Sequence, residues 1–543
     1  MELLRRDAFA GLTVGLVLIP QALAYAALAG MPPVTGLYAG LLPSIVGALW
    51  GSASLLAVGP VALTSLLTFA ALQPLAVPGS DEWVTLAIWL AIYSGLVQFM
   101  LGALRLGIIA NFISNAVIAG FINAAALIIL LSQLPALVGL PGELGPQWLT
   151  EAARRFEEAP RLVLATAAFG VGALAVLLLQ RQFLPRLPGV LVVAVVGLAV
   201  SAATGFAEAG GAVVGAIPTG LPDLGWPPAL SFAQHRALIP AAVIIALISF
   251  TEAMASCRTL ARQRNEAWDK DQELVGQGLA KLASGISGAF PVSGSFSRSA
   301  LNAYVGAQSG YATLFAAACA LACLLWFTDT LYHLPRAVLA AIIIVPVLGL
   351  IDLRAFRSLW QTSRHDGVVA VATFACTLLS MPNLYWGVFA GFALSGLLFV
   401  IRRARPRIIE LGLHDAGTLR ERATHNLPPI APGVLAVRMD ASLIYITAPI
   451  LERFIRERLR KDPTLHTVLL CASPVNEIDS TGIDILRQLH DELSQSGKRL
   501  YLSGVKKQVR DVMARAGLLR TLGENALFAN NRDAIQYFTR RSK

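Results

Sequence analysis

Charged side chains are scarce in this sequence. Asp, Glu, Lys and Arg supply 14% of the 543 residues, against 56% hydrophobic ones, whereas a soluble globular chain carries about a quarter charged residues. The shortage is local: from about residue 8 to 400, apolar runs of membrane-spanning length follow one another, separated by short charged or Pro/Gly punctuation. Runs of about 20 apolar residues mark spanning helices, so the sequence reads as a polytopic membrane protein. Cysteine is also sparse. Cys257, Cys319, Cys323, Cys376 and Cys471 are scattered, which excludes a disulfide framework. Cys319 and Cys323 sit one helical turn apart in an apolar run without metal-type partners, and they read as packing residues. No Gly-x-x-x-x-Gly-Lys-[Ser/Thr] loop is present, so nothing points to direct use of ATP. No nucleophile–base pair and no metal-ligand cluster stands out. An enzyme is therefore the least favoured class, and neither a cofactor nor a metal is expected. No cleavable signal peptide is evident, because the apolar segment after Met1–Phe9 is long and lacks a convincing cleavage site.

The net charge is +10. About half of the Lys and Arg residues lie after Ile401, in a stretch that reads as soluble, so the basic balance is a cytoplasmic-loop and tail effect rather than a nucleic-acid signature. Spans are expected at about residues 10–29, 35–50, a short third ending near 72, 83–104, 106–133, 162–179 and 187–204. A Gly/Pro-rich connector over about 209–235 separates these from a second set at about 237–256, 272–290, 291–302, 311–328, 335–350, 367–381 and 386–401. The span containing Lys281 is less apolar than its neighbours, and its position is the least defined. An amphipathic, charged loop is expected near 151–161; Arg181–Arg186 joins the sixth and seventh spans, and 352–364 is basic and expected in the cytoplasm. Asn111, Asn115 and Asn123 read as helix–helix hydrogen-bonding residues. Arg5 and Arg6 at one end, and Arg402-Arg403-Ala404-Arg405-Pro406-Arg407 at the other, place both termini in the cytoplasm and require an even number of spans. Fourteen, as repeats of about 8–205 and 237–401 within a membrane domain of 1–405, fits the paired breaks described next.

The organising stretch is Pro291-Val292-Ser293-Gly294-Ser295-Phe296-Ser297-Arg298-Ser299-Ala300-Leu301-Asn302. It is too short and too rich in hydroxyls for an ordinary spanning helix. Pro291 and Gly294 mark a departure from helix. An extended stretch leading into a half-helix at membrane depth offers unpaired N–H groups and a positive dipole end, both suited to an anion. Arg298 adds a fixed charge and a fork of donors matched to an oxyanion. In the first half, Ala57-Val58-Gly59-Pro60-Val61-Ala62-Leu63-Thr64-Ser65 has the same plan. Two interrupted segments at matching places in two halves point to a transporter site. Gln21 and Tyr25, four apart around Pro20-Gln21-Ala22-Leu23-Ala24-Tyr25, share a helix face; that face either lines the site or forms a packing kink. Gly36, Gly40 and Gly47 suit close helix contact in lipid. Glu252 in Ile248-Ser249-Phe250-Thr251-Glu252-Ala253-Met254 is a carboxyl inside an apolar span, costly when charged and therefore a candidate proton carrier. The alternative is a structural ion pair with Arg298.

After about Pro406 the sequence becomes that of a soluble domain, over 406–543. Strands are expected at 434–439, 467–471 and 499–502, with helices at 449–461, 481–496, about 506–516 and 533–540, the pattern of a small α/β domain. Asn476-Glu477-Ile478-Asp479-Ser480-Thr481-Gly482 precedes a helix, and Asp479 or Ser480 can cap it.

These motifs together resemble the sulfate permease (SulP) family of anion transporters, related to the animal carriers of sulfate, chloride, bicarbonate, iodide and oxalate. The resemblance covers nearly the whole chain. It rests on Pro20–Tyr25, Gly59-Pro60, Gly294–Asn302 and a C-terminal domain similar to STAS modules. It implies an α-helical membrane fold of two inverted seven-span repeats, with a core domain that moves against a gate domain like an elevator, and homodimers. It implies further that the substrate lies between the half-helices of spans three and ten. Backbone groups of Val61 and Ala62 would face it from one side and those of Ser295, Phe296 and Ser297 from the other, with Arg298 close by and Gln21 and Tyr25 lining the pocket. Glu252 falls where relatives place an acid linked to cation coupling, with a proton favoured over sodium. Sulfate leads as substrate, with bicarbonate or a C4-dicarboxylate as alternatives. Uncoupled exchange or channel behaviour, and a membrane sensor signalling through the STAS-like domain, remain as other classes. Ser480 and Thr481 match a loop that is phosphorylated in anti-sigma antagonists, and a cytoplasmic protein partner of that domain is the other possibility. The implied location is a bacterial inner membrane.

Overall fold

The computed structural model describes residues 2–108, 114–140, 148–183, 188–414 and 417–541. Asn111 and the centre of the expected basic link at 184–187 lie outside the described residues. The chain divides into two compact units, Met1–Ser395 and Gly396–Lys543.

The first unit is helical. Among the described residues eight helices are long and apolar enough to cross a membrane, and three shorter apolar ones are Ala62–Leu72, Gly189–Ala203 and Tyr311–Phe327. The chain is thus a multi-pass membrane protein. Its helices pack closely because small residues sit at the crossings, as expected where dispersion and backbone approach replace the hydrophobic effect. A Cβ at Gly36 would lie 2.0 Å from the Ala22 carbonyl oxygen, and one at Gly11 would lie 2.3 Å from that of Ala312. The crossing of Asp81–Ala103 with Lys270–Ile286 has glycines on both helices: a Cβ at Gly278 would meet the Phe99 amide nitrogen at 2.5 Å and one at Gly95 the Gly278 oxygen at 2.9 Å.

Several boundaries differ from the sequence reading. The fifth span starts at Asn115 rather than near Leu106, because the Ser114 hydroxyl accepts the Val117 N–H and caps the helix there. The charged segment expected as a loop near 151–161 is two helices, Trp148–Glu158 and the start of Pro160–Phe183. The basic segment after Asp352, for which the sequence suggested no secondary structure, is a helix, Leu353–Thr362, opened by the Asp352 carboxylate accepting from the Arg354 and Ala355 amides. Asn123 makes the expected interhelical bond, its Oδ1 accepting the Asp352 N–H at 2.8 Å.

The second unit is an α/β domain. Its six-stranded sheet runs, edge to edge, Thr418–Glu421, Ile408–His414, Val434–Met439, Thr467–Cys471, Arg499–Ser503 and Leu527–Phe528. The last four are mutually parallel and the first two pairings are antiparallel. The three central strands are those expected from the sequence; the edge strands Ile408–His414, Thr418–Glu421 and Leu527–Phe528 were not expected. The wholly buried Thr467–Cys471 strand lies at the centre of an apolar core with Leu451, Ile455, Leu486 and Leu489 from the Ala448–Lys461 and Ser480–Gln495 helices.

Candidate anion site

The two breaks in the helical pattern meet. Residues Ala57–Gly59 and Ser293–Ser295 form a two-stranded antiparallel ribbon, with Ala57 opposite Ser295 and Gly59 opposite Ser293. Each strand runs directly into a short helix, Ala62–Leu72 and Phe296–Val305. The ribbon satisfies backbone groups that would otherwise be orphaned at membrane depth, and it brings the N-terminal ends of both half-helices to one place. Side chains close the arrangement. Ser299 Oγ accepts the Ala57 N–H at 2.9 Å, Ser44 Oγ donates to the Val58 carbonyl at 2.7 Å, and Ser293 Oγ donates to the Ser249 carbonyl at 3.0 Å. No side chain caps the Ala62–Leu72 helix at Val61, so its first N–H groups keep their partial positive charge. At the other helix Ser295 is the N-cap, accepting from the Arg298 N–H.

Arg298 spans the two halves. It is 2% exposed, and its Nη1 donates to the Pro60 carbonyl at 2.8 Å. Its Nη2 is enclosed and has no hydrogen-bond partner. A buried guanidinium nitrogen without an acceptor is costly, and an anion is the natural acceptor. Gly59 makes room for this group: a Cβ there would lie 3.0 Å from Arg298 Nη2. Gln21 Oε1, Ser65 Oγ, Asn302 Oδ1 and Glu252 Oε2 are also enclosed without partners. Tyr25 is 3% exposed and acts electrostatically with Arg298 and Glu252.

Gln21, Ser297 and Arg298 line one cavity of about 400 Å³. Val61, Ala62 and Ser295 are buried and do not line it. Phe296 is exposed and lines a separate cavity of about 290 Å³ with Ser256, Ser299 and Tyr304.

One polar cluster escaped the sequence reading. Lys281 is fully buried, and its Nζ donates to Gln98 Oε1 at 2.6 Å and to Ser249 Oγ. Ser249 lies three residues before Glu252, on the same helix face, and Lys281 and Arg298 both act electrostatically on Glu252. The signal was available: a lysine inside a spanning segment is a functional hypothesis by default, but its polar Gly/Ser-rich surroundings hid it. In the second unit, the Asp479 carboxylate caps the Ser480–Gln495 helix through the Gly482 N–H at 2.8 Å and accepts the Tyr445 N–H at 2.8 Å with its other oxygen. Ser480 is exposed and Thr481 half-buried. Among the described residues no cluster of His, Cys, Asp or Glu could hold a metal ion.

Two crossed half-helices in one bundle, and an α/β domain after it, are matched by known families. The sulfate permease family covers residues 4–373 and the STAS domain covers residues 428–534. The chain belongs to the sulfate permease family. It is 33% identical over 99% of its length to a probable sulfate transporter of Mycobacterium tuberculosis, covering 96% of that protein. It is 32% identical over 98% of its length to the chloroplastic sulfate transporter 4.1 of Arabidopsis thaliana, covering 80% of it. In fold it is similar to the murine solute carrier 26 family member A9 anion transporter in its inward-facing state, with a TM-score of 0.87 at 24% identity over 98% of this chain and 91% of that one. The transmembrane domain of the cyanobacterial bicarbonate transporter BicA matches with a TM-score of 0.59 at 21% identity, over 72% of this chain and 97% of that one.

Proposed function

We propose that this family member is a secondary transporter of a small oxyanion, sulfate first, with the anion held between the half-helices Ala62–Leu72 and Phe296–Val305. The observation that carries the reading is the buried Arg298 guanidinium with its unpartnered Nη2, at a point where two helix N-termini converge beside a cavity of about 400 Å³. At about 30 Å³ per water, that volume holds on the order of ten waters, enough for a partly hydrated oxyanion. The anion is attracted by one full charge and two partial ones, and it replaces its hydration shell with N–H donors that need no reorganisation.

The half-helices, the ribbon and Glu252 would move as one body, because Arg298, Ser299, Ser44 and Ser293 tie them together. Carrying that body past the remaining helices would expose the site to either side in turn, the elevator-like cycle expected from the family, with fourteen spans and a homodimer. Glu252 is the proton carrier in this reading. A carboxyl beside the site, enclosed and without a partner at Oε2, gains or loses charge according to whether the anion is present.

A specific observation favours a second reading. Lys281 Nζ donates to Ser249 Oγ, one turn from Glu252 on the same helix, and a second basic group so near the carboxyl suits uncoupled anion exchange. Uptake of labelled sulfate, bicarbonate and fumarate into proteoliposomes separates the two. Proton symport predicts gradient-stimulated uptake that Glu252→Gln makes indifferent to the gradient. Uptake by the wild type that ignores the gradient, with Glu252→Gln unchanged, would leave exchange as the mode.

A further inference from the structure

The cavity that contains Ser297 and Arg298 has a second wall. It is built by the end of the Pro160–Phe183 helix, which brings Gln180 and Arg181, and by the start of Gly189–Ala203. Arg181 is exposed and has no hydrogen-bond or ion-pair partner among the described residues. Its guanidinium is nonetheless placed. A Cβ at Gly349 would lie 3.9 Å from Arg181 Nη1 and 4.0 Å from Nη2, and Gly349 is the C-cap of the Arg336–Leu348 helix. The negative end of a helix attracts a cation without neutralising it as a carboxylate would. Gly189 is packed against the neighbouring side chain, since a Cβ there would meet Gln180 Oε1 at 2.3 Å; this fixes the wall that carries Arg181.

The lining therefore holds two arginines and no carboxylate. One cation, Arg298, belongs to the body that carries the half-helices. The other, Arg181, lines the same space from the end of the Pro160–Phe183 helix. Two fixed charges around one cavity attract a dianion about twice as strongly as a monoanion, because Coulomb energy scales with the product of charges. With Glu252 protonated, as in the symport reading, a dianion compensates both arginine charges and a single monoanion compensates one.

We infer that Arg181 is a second anion-binding residue and sets the site's preference for a doubly charged anion over a singly charged one. The inference rests on the proposed anion site and deepens it. Arg181 is a specificity residue here, and its charge matters more than its shape, so lysine should serve in its place.

The test is direct binding to the purified full-length chain in detergent, by isothermal titration calorimetry, with sulfate, fumarate, nitrate and bicarbonate as separate probes. Wild type, Arg181→Gln and Arg181→Lys are compared. The expected result is a sulfate Kd raised about tenfold or more in Arg181→Gln, ~1.4 kcal/mol, with the nitrate and bicarbonate Kd values changed less than threefold, and near-wild-type selectivity in Arg181→Lys. Fumarate following sulfate shows that charge number is read; fumarate following nitrate shows that only a compact dianion engages both arginines, and either supports the assignment. Equal dianion-to-monoanion ratios in wild type and Arg181→Gln overturn it while leaving the anion site standing. If wild type binds none of the four, the anion site itself fails and this inference with it. Arg181 is exposed, so Arg181→Gln removes no core packing, and recovery in Arg181→Lys rules out misfolding as the cause of a loss.

Discussion

Arg298 holds its place by one hydrogen bond to the Pro60 carbonyl and keeps another nitrogen in reserve. That division of labour explains the choice of arginine. A lysine is a point charge with no planar fork, and it could serve the carbonyl or the anion but not both with the same geometry. Gly59 is the counterpart. Its missing Cβ leaves 3.0 Å to Arg298 Nη2, so Gly59→Ala presses a methyl group against the nitrogen that would meet the anion. Gly59 also has φ +157°, a backbone conformation that favours glycine, so an alanine there strains the backbone as well. The expected outcome is a loss of sulfate affinity of about fivefold, ~1 kcal/mol, accompanied by a lower melting temperature from the backbone strain. A large fall in melting temperature with unchanged affinity would mean that the space serves packing only. At this scale Arg298, Glu252 and the glycine–proline break were legible in the sequence, because a charge or a helix breaker in an apolar run stands out against its surroundings. Arg181 was not. It reads as one more residue of a basic link, and only the fold shows that its guanidinium shares a cavity with Arg298.

The elements that matter most are the shortest. Ala62–Leu72 and Phe296–Val305, at 11 and 10 residues, are too short to span a bilayer of about 30 Å at 1.5 Å per residue. Each depends on the ribbon between them and on neighbouring helices. Lys270–Ile286 is such a neighbour. Its glycine-lined crossing with Asp81–Ala103 brings Lys281 against Gln98, and Lys281 also reaches Ser249 one turn from Glu252. Removing the ammonium in Lys281→Met would leave Gln98 Oε1 short of a donor, while Ser249 Oγ keeps the bond it accepts from Gln98 Nε2. The expected cost is about 2–3 kcal/mol, read as a lower melting temperature of the full chain in detergent; no loss of stability would show that water takes over these bonds. The sequence pattern located this helix poorly because Lys281, Ser284 and Ser287 lower its hydropathy. Their partners, Gln98 far earlier in the chain and Phe290 across a turn, cannot be seen in a window along the chain. The amphipathic helix at Trp148–Glu158 reads as a loop, and Leu353–Thr362 only as a basic segment, for a related reason. Charge density marks them as outside the membrane but says nothing about whether the backbone is hydrogen-bonded to itself.

For the whole molecule, the class was plain from composition and from two matching breaks in the two halves, and the central strands of the C-terminal domain followed from its alternation of apolar strands with helices. The edge strands were harder to see, since a short strand such as Leu527–Phe528 has no pattern of its own and exists through its pairing with Arg499–Ser503. The central claim is that the convergence of two half-helix N-termini on Arg298 binds the transported anion. The most direct test is initial-rate uptake of radiolabelled sulfate into proteoliposomes containing the wild-type chain or Arg298→Gln, with an inward proton gradient and with protein incorporation matched between the two. The account predicts saturable uptake by wild type and a reduction of at least a hundredfold in uptake per protein for Arg298→Gln, about 2.7 kcal/mol or more. Uptake by Arg298→Gln with the wild-type rate and half-saturating concentration would contradict it.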